Sequence, residues 1–168
     1  MTAPEFSRPI DERQITPRPI TMEASAEERA ALARRFGIVA IRQLQATVAL
    51  ERAGEAIMAR GRLSAAIVQS CAVSGEDLPV RIDEPLALRF VPAVQVEGEE
   101  IELEADELDE IPFAGHEFDL GEAVAQSLAL AIDPYATGPE AERVRKEAGL
   151  GDEAASGPFA ALAALKKP

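Results

Sequence analysis

The side chains of this sequence best suited to nucleophilic, acid–base or metal chemistry are its single cysteine, Cys71, and its single histidine, His116. A structural zinc site needs four nitrogen or sulfur ligands, and this sequence has one cysteine and one histidine. The residue three positions after Cys71 is Ser74, so it does not supply a second thiolate. His116 has the residue type of a general base but no nearby residues that complete a catalytic set. Glycine-rich phosphate loops of the GxGxxG and GxxxxGK(S/T) types are absent from the sequence. We therefore predict no catalytic residue, no metal ligand and no cofactor.

The acidic residues are concentrated in one segment, where nine of the fourteen residues from 97 to 110 are Asp or Glu. Their spacing does not match a calcium-binding loop. So many like charges resist packing, so the segment is predicted to be an exposed loop, at least partly disordered. The functional alternative is attraction of a basic partner, and the candidate contacts are Glu97, Glu99, Glu100, Glu102 and Glu104.

The basic residues are distributed differently from the acids. Residues 1–81 contain 11 arginines against 10 acids, whereas residues 82–168 contain six Lys or Arg against 20 acids. Arginine binds phosphate in a bidentate manner, but exposed structural arginines and a GC-rich genome are equally ordinary explanations. With no tryptophan and one tyrosine, stacking on RNA bases is disfavoured. The candidate RNA contacts are Arg18, Arg34, Arg35, Arg42, Arg60 and Arg62.

The periodicity of apolar residues predicts an α+β fold that would position these residues. It indicates a curved antiparallel sheet of about four to six strands and two main helices. The helices are expected over 25–35 and 121–132, with Ser25 and Asp119 as N-caps. Strands are expected over 38–52, 56–70, 78–91 and 111–120. The predicted core comprises Phe36, Ile41, Leu44, Val48, Ile57, Leu63, Ile67, Val80, Ile82, Leu88, Phe90, Val124, Leu128 and Ile132.

Three regions are expected along the chain. Residues 1–22 are predicted to be an extended arm, and residues 23–135 a single α+β domain with the acidic loop 97–110. Residues 136–168 are predicted to form a tail with a short helix and an apolar anchor at Phe159, Leu162 and Leu165. No apolar run is long enough to cross a membrane, and the first residues do not form a secretory signal. We therefore expect a cytoplasmic protein.

Four stretches together resemble the YceD family of bacterial proteins, in an alphaproteobacterial-like branch. They are SCAVSGEDLPVRIDEPLALRFVP from residue 70, EFDLGE from 117, LALAIDPY from 128 and PFAALAALKK from 158. The resemblance covers about the last two-thirds of the chain. Many relatives have a second cysteine where this sequence has Ser74, so the resemblance does not imply a metal site here.

The resemblance implies a role in the accumulation of large-subunit ribosomal RNA. We therefore expect a non-enzymatic factor in large-subunit assembly or 23S rRNA accumulation. Its expected partners are large-subunit rRNA, a small basic ribosomal protein, or both. The alternative is a protein-interaction adaptor without a ribosomal role, and the oligomeric state is left open.

Overall fold

A computed structural model of the chain describes residues 4–93 and 110–150. These residues divide into two compact units. The first is formed by 4–68, 79–93 and 110–132, and the second by 69–78 and 133–150. No helix within these residues is long and apolar enough to cross a membrane.

The main sheet has five strands in the order β2-β3-β4-β5-β6. Its strands are β2 (Ile20–Glu23), β3 (Ala40–Ala53), β4 (Ala56–Ser70), β5 (Asp77–Pro92) and β6 (Glu110–Phe113). β3 and β4 form a long antiparallel hairpin, and β2 pairs antiparallel with β3. Because apolar and polar residues alternate along these strands, one sheet face is buried and the other exposed. The predicted α+β class is confirmed.

Helix α1 (Ala26–Phe36) follows the local rules that predicted it. The Ser25 side chain accepts a hydrogen bond from the Glu28 N–H, and the Glu28 carboxylate accepts one from the Ser25 N–H. The helix ends at Gly37, whose φ of 66° lies in the left-handed region that glycine adopts without strain. α1 packs on the sheet through Leu32 and Ala33.

Helix α2 (Leu120–Ala131) begins after Asp119, whose carboxylate accepts a hydrogen bond from the Glu122 N–H at 3.0 Å. The reciprocal bond of a full capping box is not formed, since the Glu122 side chain pairs with Arg35 instead. A Cβ at Gly121 would lie 2.5 Å from the Phe6 carbonyl oxygen and 2.8 Å from the Arg8 nitrogen. Glycine at this position therefore lets the N-terminal segment pass directly against the start of α2.

The region predicted as one strand from 111 to 120 is two short strands in different sheets. β6 pairs parallel with β5, with Phe90 opposite Ile111. β7 (Glu117–Asp119) pairs antiparallel with β1 (Pro9–Asp11) in a separate two-stranded sheet. A short 3₁₀ helix, Glu12–Gln14, follows β1. The residues of β1 are therefore part of the folded unit, and β2 begins at Ile20, near the end of the segment predicted to be an extended arm.

The core lies between the buried sheet face and the two helices. Ten of the fourteen predicted core residues are buried, and Phe36, Val80, Leu88 and Ile132 are partly buried against them. The predicted list lacks eight buried leucine, methionine and phenylalanine residues: Phe6, Met22, Leu32, Leu50, Leu86, Phe113, Phe118 and Leu120. Three of these residues, Phe6, Phe113 and Phe118, lie in segments too short to show a hydrophobic period.

The second unit combines the turn after β4 with the segment after α2. Its helix is α3 (Ala141–Glu147), which confirms the short helix predicted there. The Cys71 N–H donates to the Glu76 carbonyl at 2.7 Å, and the Ala72 N–H donates to the Ala136 carbonyl at 3.0 Å. These backbone bonds hold the turn and the later segment together.

Candidate functional site

The exposed face of the main sheet brings together two of the six predicted RNA-contact residues, Arg60 and Arg62. In the β3–β4 register Thr47 lies opposite Arg62, and Ala49 lies opposite Arg60. Arg62 forms a salt bridge with Asp83, which places the alternate residues Arg81, Asp83 and Arg89 of β5 on the same face. We call these exposed side chains the outer sheet face: Thr47, Ala49, Arg60, Arg62, Ser64, Arg81, Asp83, Ala87 and Arg89.

The four arginines of the outer sheet face differ in their partners. The Asp83 carboxylate raises the pKa of Arg62, and the hydrogen bond from Arg62 lowers the pKa of Asp83. Arg89 pairs with Glu110 at 2.7 Å. Arg60 and Arg81 are exposed and form no salt bridge with any residue that the structure describes. Both guanidinium groups are therefore exposed to solvent without a carboxylate partner from residues 4–93 or 110–150.

The predicted RNA-contact residues Arg34 and Arg35 lie elsewhere, in the last turn of α1. Arg34 is exposed. Arg35 donates two hydrogen bonds to the Glu122 carboxylate, at 2.9 and 2.7 Å, and one to Glu5 at 3.0 Å. The hydrogen bond to Glu122 is the main reason that the pKa of Arg35 is raised. Arg35 therefore links α1 to α2.

The remaining two arginine candidates are exposed but stand apart from the outer sheet face. Arg18 lies before β2. Arg42 lies at the irregularity in β3, where the register with β4 shifts between Ile41 and Gln43. Such a bulge leaves the inserted residue without a direct cross-strand partner. The acidic candidates Glu97, Glu99, Glu100, Glu102 and Glu104 lie outside the described residues.

The Asp119 carboxylate holds the N-terminal segment against α2, which was not foreseen. Its oxygens accept from the Ser7 hydroxyl at 2.6 Å and from the Arg8 N–H at 2.8 Å. The Arg8 guanidinium in turn donates to both Glu28 oxygens, at 2.7 and 3.1 Å. The only sequence signal for this network was the identification of Asp119 as an N-cap.

Cys71 has an unusual environment in the second unit. Its sulfur accepts from the N–H groups of Val73, Ser74 and Gly138, at 3.5, 3.3 and 3.4 Å. A hydrogen bond from the Ser74 side chain, supported by these N–H groups, lowers the pKa of the thiol from 9.0 to about 6. The arrangement stabilises a thiolate. No cluster of three or more metal-ligating side chains occurs in the part of the chain that the structure describes.

His116 is exposed, and its Nδ1 lies 2.6 Å from a Glu12 carboxylate oxygen. The Glu12 N–H also donates to the His116 carbonyl at 2.8 Å. Both contacts continue the pairing of β1 with β7. His116 thus joins the two strands beyond the end of their ladder.

Comparison with protein families identifies the chain over most of its length. Residues 59–166 match the family model described as large ribosomal RNA subunit accumulation protein YceD. The chain belongs to the YceD family. The match begins in β4 and includes Arg60, Arg62, Arg81 and Arg89, so the arginines of the outer sheet face lie within the YceD region. The alphaproteobacterial-like branch stays a prediction.

The YceD family is named for accumulation of ribosomal RNA and not for an enzyme activity. No curated protein and no solved structure matches the chain. The first three strands and α1 precede the matched region, although their side chains complete the same core.

Proposed function

We propose that this YceD-family protein is a non-enzymatic factor in large ribosomal subunit assembly or 23S rRNA accumulation. It acts in the cytoplasm and contacts large-subunit rRNA through the outer sheet face. The observation that carries the ribosomal part of the proposal is the family match over residues 59–166.

Charge supports the outer sheet face as the RNA contact. Residues 4–93 contain twelve arginines and twelve acids, so the acidic excess of the chain lies beyond them. The part of the sheet before residue 93 therefore does not repel RNA as strongly as the net charge of −13 suggests. Arg60 and Arg81 are both exposed there and available to phosphate oxygens.

Side-chain composition indicates how RNA would be recognised. The residues of the outer sheet face are arginine, aspartate, threonine, serine and alanine, with no aromatic ring on which a base could stack. Contact would therefore be made with phosphates and ribose hydroxyls, and it would depend on shape and salt more than on base sequence.

The proposal is tested by sedimentation of cell lysates through gradients of low and high salt. The expected result is co-migration with large-subunit precursors that is lost as salt rises. The variant Arg60→Ala/Arg81→Ala is expected to dissociate at lower salt. The matched control, Arg145→Ala/Lys146→Ala, removes the same charge from exposed residues of α3 and should behave as wild type.

Migration away from ribosomal particles at every salt concentration would contradict the ribosomal role. That result would favour the adaptor alternative. If the two double variants dissociate at the same salt concentration, the outer sheet face is not the RNA contact. That result would leave the ribosomal role intact.

A small basic ribosomal protein is the second partner in the proposal. Its expected contacts, Glu97 to Glu104, are outside the described residues, so it stays a prediction. Charge reversal at Glu99, Glu100, Glu102 and Glu104 should abolish capture of such a protein, and unchanged capture would reject this route.

A further inference from the structure

A groove of about 610 Å³ lies between α2 and the β5–β6 edge of the main sheet. Its apolar lining includes Leu86 and Leu88 of β5, Ile111 of β6 and Leu130 of α2. Leu130 is 88% exposed, although leucine is an apolar residue whose burial is favourable. The groove therefore offers an unfilled contact for an apolar side chain.

A second cavity of about 240 Å³ extends the groove along α2. The two cavities share Ile111, Ala123 and Gln126 as lining residues. The second one adds the aromatic rings of Phe90, Phe113 and Phe118. Together they form an elongated surface, which we call the α2 groove.

Every charged residue that lines the α2 groove is an acid: Glu84, Glu110, Glu117, Asp119 and Glu122. Glu110 and Glu122 are paired with arginines, and Asp119 caps α2. Glu84 and Glu117 are exposed and make no salt bridge within the described part of the chain. They line different cavities, so an exposed carboxylate stands in each half of the groove.

Residues 84–88 of β5 also line the groove. β6 pairs only with residues 89–92 of β5, so residues 84–88 have no neighbouring strand on that side among the described residues. An unpaired strand edge offers main-chain donors and acceptors to another polypeptide.

We infer that the α2 groove binds a basic polypeptide segment in which apolar side chains alternate with, or are flanked by, lysine or arginine. The apolar side chains occupy the surface of Leu86, Leu88, Ile111 and Leu130, while the basic ones meet Glu84 and Glu117. Complementary charge increases the association rate and apolar burial slows dissociation. RNA is disfavoured as the occupant because all the charged lining is anionic. The inference concerns a surface distinct from the outer sheet face.

The test uses the whole chain and a fluorescent synthetic peptide in which leucine and arginine alternate, with binding followed by anisotropy. A second peptide has serine in place of every leucine. Leu130→Ala should weaken binding of the leucine peptide about tenfold, the loss expected for one partly buried leucine contact. The matched control is Val39→Ala, because Val39 is also an exposed apolar residue but does not line the groove.

The charge requirement is tested with Glu84→Lys/Glu117→Lys. These changes should weaken binding about tenfold or more at low salt. The control Glu55→Lys reverses an exposed charge in the β3–β4 turn and should leave binding unchanged. Methyl NMR signals of Leu86, Leu88 and Ile111 should shift on peptide addition.

Several results would overturn the inference. Equal affinity for the leucine and serine peptides would show charge attraction without a groove. Peptide binding that appears only after residues 97–109 are deleted would mean that this segment of the chain itself is the occupant. Weaker binding of a single-stranded RNA to Leu130→Ala would assign the groove to RNA. Leu130→Ala leaves Arg60 and Arg81 intact. A result that contradicts peptide binding in the α2 groove therefore does not contradict the proposed rRNA contact.

Discussion

The backbone N–H of Arg8 donates to the Asp119 carboxylate at 2.8 Å, which joins two residues 111 positions apart in sequence. The same carboxylate caps α2 through the Glu122 N–H. One side chain therefore both begins a helix and fixes the N-terminal segment beside it. The position of β1 in the fold therefore depends on β7, with which it pairs.

Replacing Asp119 with alanine should lower the free energy of unfolding by about 2 kcal/mol, because a helix cap and two hydrogen bonds to the N-terminal segment are lost. Urea unfolding followed by circular dichroism measures the change. Asp119→Asn keeps an acceptor oxygen and should lose less. Equal losses in the two variants would show that the hydrogen bonds are unimportant.

Replacing Phe6 with alanine should cost about 3–5 kcal/mol, because Phe6 is fully buried. The N-terminal residues should also become sensitive to protease at low concentration. Ile10→Ala, at a partly buried neighbour in β1, serves as a milder control. A stable and protease-resistant Phe6→Ala protein would contradict the integration of residues 6–11 into the core.

Among the predicted RNA-contact arginines, Arg35 and Arg60 should behave differently. Arg35→Ala should lower stability by about 1 kcal/mol, the upper range for partly exposed ion pairs, and leave RNA affinity unchanged. Arg60→Ala should leave stability unchanged and reduce the salt slope of RNA binding by about 1. Filter binding at several salt concentrations separates the two. The reverse pattern would place the RNA contact on α1.

The ion pairs of Glu28 and Glu122 predict a loss of stability in acid. Hydrogen bonds from Arg8 and Arg35 hold the pKa of each carboxyl below its ordinary value of 4.5. Above that value both carboxyls are ionised in the folded and the unfolded chain, and the pairs contribute fully. As pH falls below 4.5, the unfolded chain binds protons first, so stability decreases until the native carboxyls protonate.

Urea midpoints measured from about pH 6 down to pH 3 should show this decrease. The variant Glu28→Gln/Glu122→Gln should be less stable at neutral pH. Its urea midpoint should also decrease less than that of the wild type as the pH is lowered. Glu55→Gln, at an exposed turn residue, should reproduce the wild-type curve. If the urea midpoint of the double variant decreased in acid as much as that of the wild type, these ion pairs would not be the cause of the decrease.

The Cys71 thiol should ionise near pH 6, as its sulfur accepts hydrogen bonds from Ser74 and from backbone N–H groups. Because the native pKa lies below the ordinary 9.0, the stabilisation is complete above pH 9.0 and is lost as pH falls toward about 6. The ultraviolet absorbance of the thiolate measures the native pKa. Ser74→Ala should raise it.

Cys71→Ala should remove the corresponding rise in stability between these two pH values. Ser74→Ala keeps the thiol and provides the matched comparison. A native thiol that titrates at its ordinary value would show that the sulfur accepts no effective hydrogen bonds.

Local rules were sufficient to predict α1, α2 and the long hairpin from the sequence. Ser25 with Glu28 and the glycine at 37 are signals contained within one helix, and the alternation in β3 and β4 needs no distant partner. The parallel pairing of β6 with β5 was missed because four residues after an acidic segment show no direction of pairing. Phe6 was missed because a single apolar residue among prolines has no period.

The candidate site was predictable only in part, for the same physical reason. Arg60 and Arg62 alternate with buried residues of a recognisable strand, so their shared exposure follows from the pattern. The salt bridge of Arg35 with Glu122 joins residues 87 apart, and neither has a local signal for it. The α2 groove is formed where β5, β6 and α2 meet, so no single stretch of sequence reveals it.

The pairing of β1 with β7 has a consequence for synthesis of the chain. Ser7 is translated 112 residues before Asp119, which corresponds to about 6–22 seconds at ordinary rates of synthesis. Throughout that time β1 has no β7 with which to pair. For that interval the unpaired edge of β1 is open to chaperones and proteases.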